Sequence, residues 1–160
     1  AGSGAIAVTL AFHLSQAVVY ALDASAEVLA VAEENARRHG VLERVHCLRG
    51  DLLAPLPGAV DLITANLPYV TTAEWQTLPP EIREYEPREA LDGGPDGLAL
   101  IRRLLAEAPG YLRPDGTLLL ELGASQGVAV TTLAQTHFPG AEIALNQDYA
   151  GLDRLVTVQR

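Results

Sequence analysis

Methionine is absent from this chain, and cysteine, tryptophan and phenylalanine are rare, with one, one and two residues in 160. A single cysteine excludes a disulfide framework. Cys47 lies in the apolar stretch Val45-His46-Cys47-Leu48 and reads as a buried thiol rather than a nucleophile. Basic residues are also few: 11 Lys+Arg against 20 Asp+Glu give a net charge of −9, with no basic run. A surface built to neutralise phosphates is not expected, and direct nucleic-acid binding is disfavoured. No apolar run reaches the roughly 20 residues a bilayer requires, and no signal-peptide pattern is present, so no membrane association is expected and cytoplasmic residence is the default. His13, His39, His46 and His137 are scattered, without a paired Cys or carboxylate at ligand spacing, so no metal site is expected. Gly4 is not followed by Lys-Ser or Lys-Thr, and there is no Gly-x-Ser-x-Gly elbow. Phosphoryl transfer and serine hydrolysis therefore recede.

A chain of 160 residues that is 49% apolar fits one domain with a real core. Helical and strand patterns alternate without an internal repeat, which predicts an α/β fold with a mostly parallel sheet. Helices are expected over residues 5–11, from the Ser25 cap to Gly40, over 98–107 and over 123–137. Strands are expected over 17–22, 45–48, 60–65, 117–122, 141–145 and 155–158, the last two as an antiparallel pair joined by Asp148-Tyr149-Ala150-Gly151. Pro114-Asp115-Gly116 reads as a turn. Residues 70–96 read as a long loop of the kind that forms lids, anchored by Trp75, Ile82, Tyr85 and Leu91.

The stretch with the most chemistry is Asn66-Leu67-Pro68-Tyr69, directly after the buried strand pattern of residues 60–65. Pro68 fixes its own φ and biases Leu67 toward extended geometry, which leaves carbonyls free to accept. Asn66 Oδ1 and the Leu67 carbonyl suit the two hydrogens of an uncharged planar amino group, with the Tyr69 ring covering one side. The ligand would be an amide or an exocyclic amine, and an asparagine turn with a packed tyrosine is the structural alternative.

Two further clusters fit a nucleoside beside that group. Gly2-Ser3-Gly4 opens a helix, either so that backbone can approach a ligand or as a flexible start. Asp23 ends the next strand about 20 residues later, where such folds bind a ribose hydroxyl; Ser25 is the better helix cap, which leaves Asp23 available. Asp51, followed by Leu52, ends the third strand and can accept from an adenine amino group, with a turn aspartate as the alternative. These groups are expected to face one crevice.

Taken together, Gly2-Ser3-Gly4-Ala5-Ile6-Ala7, Tyr20-Ala21-Leu22-Asp23-Ala24-Ser25, Glu34-Asn35-Ala36, Gly50-Asp51-Leu52-Leu53, Asn66-Leu67-Pro68-Tyr69 and the long segment from Glu86-Pro87-Arg88 to Asp96-Gly97-Leu98 resemble the HemK/PrmC family. Glu121-Leu122-Gly123 with Gln126-Gly127, and Asp148 with Gly151, Asp153 and Arg154, extend the similarity to the end of the chain. The resemblance implies a Rossmann-like class I methyltransferase whose mostly parallel sheet carries an antiparallel C-terminal strand. It implies S-adenosylmethionine as cofactor, bound by Gly2, Ser3, Gly4, Asp23, Asp51, Leu52 and Asn66. The substrate it implies is the glutamine amide in the Gly-Gly-Gln loop of peptide chain release factors, held by Asn66, Leu67, Pro68 and Tyr69. Leu67 stands where the family has a proline; its carbonyl survives and it gains an N–H. Residues 1–160 would be the catalytic domain, N-terminally incomplete, without the family's helical domain or its first central strand, which lies mid-sheet. An adenine N6-methyltransferase acting on DNA or RNA, and a non-catalytic remnant that binds a partner, are the rival readings.

Overall fold

Short β-branched runs alternating with amphipathic stretches build two α/β units, Ala1–Gly58 and Ala59–Arg160, and the computed structural model describes every residue of both, Ala1–Arg160. The first unit runs α1 (Ala5–His13), β1 (Val19–Asp23), α2 (Ala26–Arg38), a 3-10 turn (Leu42–Arg44) and β2 (Val45–Arg49). β1 and β2 pair in parallel, from Val19 opposite Val45 to Asp23 opposite Arg49. Their core is built from small side chains, Val8, Ala11, Ala21, Ala36, Val41 and Val45, which let the helices sit close to the strands. Ser25 Oγ accepts the Val28 N–H at 3.2 Å to cap α2, and Gly40, at φ +68°, turns the chain out of it. Arg44 donates to the carbonyl of Ala11 and to that of Leu14, which also accepts the Ala17 N–H at 2.9 Å. Cys47 is only half-buried, and burial first, then the charge of Glu33, pushes its thiol pKa up, which disfavours the nucleophilic thiolate.

The second unit holds a four-stranded sheet of order β3-β4-β6-β5, formed by β3 (Val60–Asn66), β4 (Leu112–Glu121), β5 (Glu142–Gln147) and β6 (Asp153–Gln159). β3 and β4 are parallel, while β6 runs antiparallel to both of its neighbours, as the sequence suggested. Leu118, Leu120, Val156 and Val158 are fully buried in the sheet, together with Ile101 and Leu105 of α5 (Ala99–Tyr111) and Val130 and Ala134 of α6 (Gly127–His137).

Four expectations need correction. Residues 70–96 are not an open loop. Thr71 and Glu74 form a reciprocal capping box that starts α3 (Thr72–Thr77), Pro80 at the first helical position starts α4 (Pro80–Tyr85), and a 3-10 turn follows (Arg88–Ala90). Pro114-Asp115-Gly116 does not end a strand: β4 runs through it, with Asp115 at φ +64° and the register against β3 jumping from Leu112 to Thr117, so the turn chemistry is spent on a bulge. Helix α5 passes the expected stop at 107 and contains Pro109, whose carbonyl accepts from Arg160 at 2.7 Å. Helix α6 starts at Gly127 rather than 123, because residues 123–126 close a turn in which Gln126 N–H donates to the Gly123 carbonyl at 2.9 Å.

Candidate active site

The parallel register of β3 and β4 places Asn66 directly opposite Glu121, each at its strand's C-terminal end. Asn66 Nδ2 donates to Glu121 Oε2 at 2.9 Å, and the Tyr69 hydroxyl donates to Glu121 Oε1 at 3.4 Å. Asn66 Oδ1 therefore points away from the carboxylate and takes no hydrogen bond from the protein. The Leu67 carbonyl and N–H likewise make none within the chain. Burial first, then the charge and hydrogen bond of Glu121, raise the Tyr69 pKa against the opposing charge of Arg154. The phenol stays protonated at neutral pH and remains a donor.

The main chain after Asn66 is held from two sides. Gln126, 8% exposed, donates through Nε2 to the Tyr69 carbonyl at 2.9 Å while its Oε1 accepts the Gly123 N–H at 2.9 Å. On the other side the Glu86 to Leu98 segment clasps the tetrapeptide. Val70 N–H donates to Leu91 O at 3.0 Å, Gly93 N–H to Val70 O at 2.8 Å and Thr72 N–H to Gly94 O at 2.9 Å. A Cβ on Gly93 would come within 2.5 Å of the Pro68 carbonyl oxygen, so only glycine lets the two backbones approach. An open groove of about 630 Å³ runs beside Tyr69, bounded by Glu74, Asp96, Gly123, Gln126 and Arg154.

Two carboxylates staple this clasp. The Gly94 N–H, then Arg88 and Thr72, hold the Asp92 pKa below its usual value of 3.8. Arg102, then the Leu98 N–H, lower Asp96 to about 2. Because both folded-state values are depressed, their stabilisation is complete above the ordinary value near 3.8 and is lost as pH falls toward 2. Amide exchange at Gly94 and Leu98 is expected to show no electrostatic weakening of the clasp down to about pH 4 and progressive opening below it. Opening that begins near neutrality would contradict this.

The remaining candidates lie in the first unit. Asp23 and Asp51 follow one another across neighbouring strand ends, and Gly50 N–H donates to the Asp23 carbonyl at 3.0 Å. Ser25 caps α2 as expected, yet Asp23 is not left idle. Its Oδ2 accepts the Gly2 N–H at 3.3 Å, and its Oδ1 accepts the Ser25 N–H at 3.0 Å. A carboxylate offers about four lone-pair sites, so Oδ1 keeps capacity for one hydroxyl. Gly2 sits at φ +56° with open space where a Cβ would stand. At Gly4 a Cβ would lie 2.8 Å from Ala32 Cβ, so glycine there also seats the start of α1 on α2. Asn35 Nδ2 donates to Ser3 O at 2.8 Å and pins the turn to α2. Leu52, at φ +44°, lies in the turn after β2, where Ala54 N–H donates to Asp51 O at 3.1 Å.

The structure thus gathers Asn66, Leu67, Pro68 and Tyr69 around Glu121 in one unit, and Gly2, Ser3, Gly4 and Asp23 around one turn in the other, with Asp51 and Leu52 at the adjacent strand end. Glu121, Gln126 and Asn35 hydrogen-bond the candidate residues or their main chain, and residue-by-residue reading left them without a role. The signal for Glu121 was its place at the strand end two residues before the glycine of Glu121-Leu122-Gly123.

Parallel strands ending in these acceptors, followed by an antiparallel terminal strand, define a class I, Rossmann-like methyltransferase domain. A family profile described as a methyltransferase domain matches residues 1–85, more than half of the 160, and the chain belongs to that family. The release factor glutamine methyltransferase of Moorella thermoacetica is 51% identical over 160 residues, covering 99% of this chain and 56% of that protein. That of Gloeobacter violaceus is 46% identical over 156 residues, covering 97% and 54%. The chain therefore spans about half the length of the curated relatives it matches. A solved ribosomal protein L11 methylase from Lactobacillus delbrueckii shares the fold at a TM-score of 0.70 with 19% identity, over 99% of this chain and 65% of its own. No helix is long and apolar enough to cross a membrane.

Proposed function

We propose that the protein carrying this chain methylates the side-chain amide nitrogen of the glutamine in the Gly-Gly-Gln loop of peptide chain release factors, in the cytoplasm, with residues 1–160 as its catalytic domain and S-adenosylmethionine as donor. One observation carries the reading. Asn66 Nδ2 is committed to Glu121, so Asn66 Oδ1 and the Leu67 carbonyl remain as two acceptors for the two hydrogens of a primary amide. The names of the relatives support the same substrate.

An amide nitrogen is a poor nucleophile because its lone pair is delocalised into the carbonyl. Holding both hydrogens on Asn66 Oδ1 and the Leu67 carbonyl fixes the direction of that lone pair, and the Tyr69 ring closes one side. Orientation of this kind can contribute roughly 7–11 kcal/mol. S-adenosylmethionine, when bound, supplies an electrophilic sulfonium methyl. Gly2, Ser3 and Gly4 would approach it by backbone, Asp23 Oδ1 would accept a ribose hydroxyl, and Asp51 and Leu52 would meet the adenine edge.

Asp23→Ala is expected to weaken donor binding by about tenfold to a hundredfold, the worth of a hydrogen bond to a charged group. An unchanged dissociation constant by calorimetry would reject the ribose assignment. The function itself is tested by offering the whole protein labelled donor with release factor and with adenine-containing DNA side by side. Label in the release factor glutamine is the expected result; label in DNA favours adenine, and label in neither rejects the enzyme.

A further inference from the structure

Asn66 is exposed, and its own backbone does not decide which end of its amide faces outward. The two ends are nearly equal in size and opposite in polarity. Turned half-way round, Nδ2 would present hydrogens to a substrate that itself brings hydrogens, and the pair could not bond. What prevents this is a carboxylate on the next strand. Glu121 is the register partner of Asn66, is acceptor-only when ionised, and takes Nδ2 at 2.9 Å, so the flipped amide would set oxygen against oxygen. Its second oxygen holds the Tyr69 hydroxyl, while the Tyr69 main chain is fixed independently by Gln126.

We infer that Glu121 is a positioning residue that sets the polarity of Asn66 and the placement of the Tyr69 ring, so that the two outward acceptors exist before any substrate arrives. The inference rests on the proposed amide methylation for its catalytic consequence. Its structural content stands apart from that reading, because the Asn66 amide is locked whatever the acceptor proves to be.

The test has a spectroscopic arm and a kinetic arm, both on the whole protein. In the wild type, the Asn66 Nδ2 protons should give two resolved signals with exchange slowed by the carboxylate. In Glu121→Ala the slowing should vanish, and unchanged exchange would overturn the inference whether or not the protein methylates release factor. Kinetically, Glu121→Ala should lower kcat by about tenfold to a hundredfold with donor affinity held, as small misplacements of a positioned group do. Glu121→Gln should recover only part of that loss, because its carbonyl can accept from Asn66 but its amide can equally donate to a flipped Asn66 Oδ1. Glu121→Ala added to Asn66→Ala should cost less than it does alone, since the contact to Asn66 is already gone and only that to Tyr69 is left to lose. Additive losses, or a Gln variant as active as the wild type, would reject the positioning role. A wild type inactive on release factor would instead reject the substrate and leave the exchange result to decide Glu121.

Discussion

Replacing Asn66 with alanine is expected to slow methyl transfer by about a hundredfold or more, the range seen when one preorganised polar partner is removed from a reacting group. Donor affinity should fall far less. The loss follows from the geometry: without Oδ1, the acceptor amide keeps only the Leu67 carbonyl and can rotate about that single bond, so its lone pair no longer has a fixed direction. Asn66→Asp makes the same point from the other side. It keeps an oxygen at the outward position, yet it loses the donor that Glu121 Oε2 accepts at 2.9 Å and sets two carboxylates against each other. It should therefore be impaired as well, although it looks conservative. Turnover equal to wild type in Asn66→Ala, measured with labelled donor, would remove the clamp from the mechanism.

Gly97→Ala is the second large effect, and it is read first as stability. Gly97 sits at φ +72°, a left-handed conformation that costs a residue with a Cβ about 1–2 kcal/mol. The added carbon would also press on the Tyr69 carbonyl oxygen and on Gln126 Nε2, the two atoms whose bond holds the tetrapeptide. Overpacking of that kind typically costs about 1–3 kcal/mol. A fall in unfolding free energy of about 2–5 kcal/mol is expected in a denaturant titration, with slowed methylation in whatever folds. Gly110→Ala is the internal contrast. Gly110 lies in α5 with nothing near its missing Cβ, so alanine there should be neutral or raise stability by about 0.5–1 kcal/mol. If the two substitutions behaved alike, the close seating of residues 93–97 under the tetrapeptide would be wrong.

The fold was legible where local chemistry is self-sufficient. The Ser25 cap, the exit at Gly40, the paired C-terminal strands and the acceptor at the end of β3 all depend on near neighbours in sequence. It was illegible where a distant partner decides. Pro114-Asp115-Gly116 has every local property of a turn, but the ladder against β3 resumes after it and keeps the chain in the sheet. Residues 70–96 look like a loop because their helices are six residues long and held by caps and by the glycine-rich segment rather than by an apolar stripe. The glycines of Asp92-Gly93-Gly94-Pro95-Asp96-Gly97 look like flexibility in sequence; at Gly93 and Gly97 they permit close contact with Pro68, Tyr69 and Gln126. In the candidate site, the types and order of the outward groups were readable. The inward bonds that aim them, from Glu121 and Gln126, span 55 and 57 positions along the chain and emerge only with the sheet register.

The buried amide of Gln126 ties the exit of β3 to the exit of β4, through the Tyr69 carbonyl and the Gly123 N–H. Two loops joined by such a crosspiece cannot move apart independently, so the spacing between the two strand ends is set before any ligand arrives. A fixed spacing acts as a ruler. For the glutamine substrate proposed above, asparagine, one methylene shorter, would leave its nitrogen short of the acceptors by about 1 Å, a misplacement that alone can cost a hundredfold in rate.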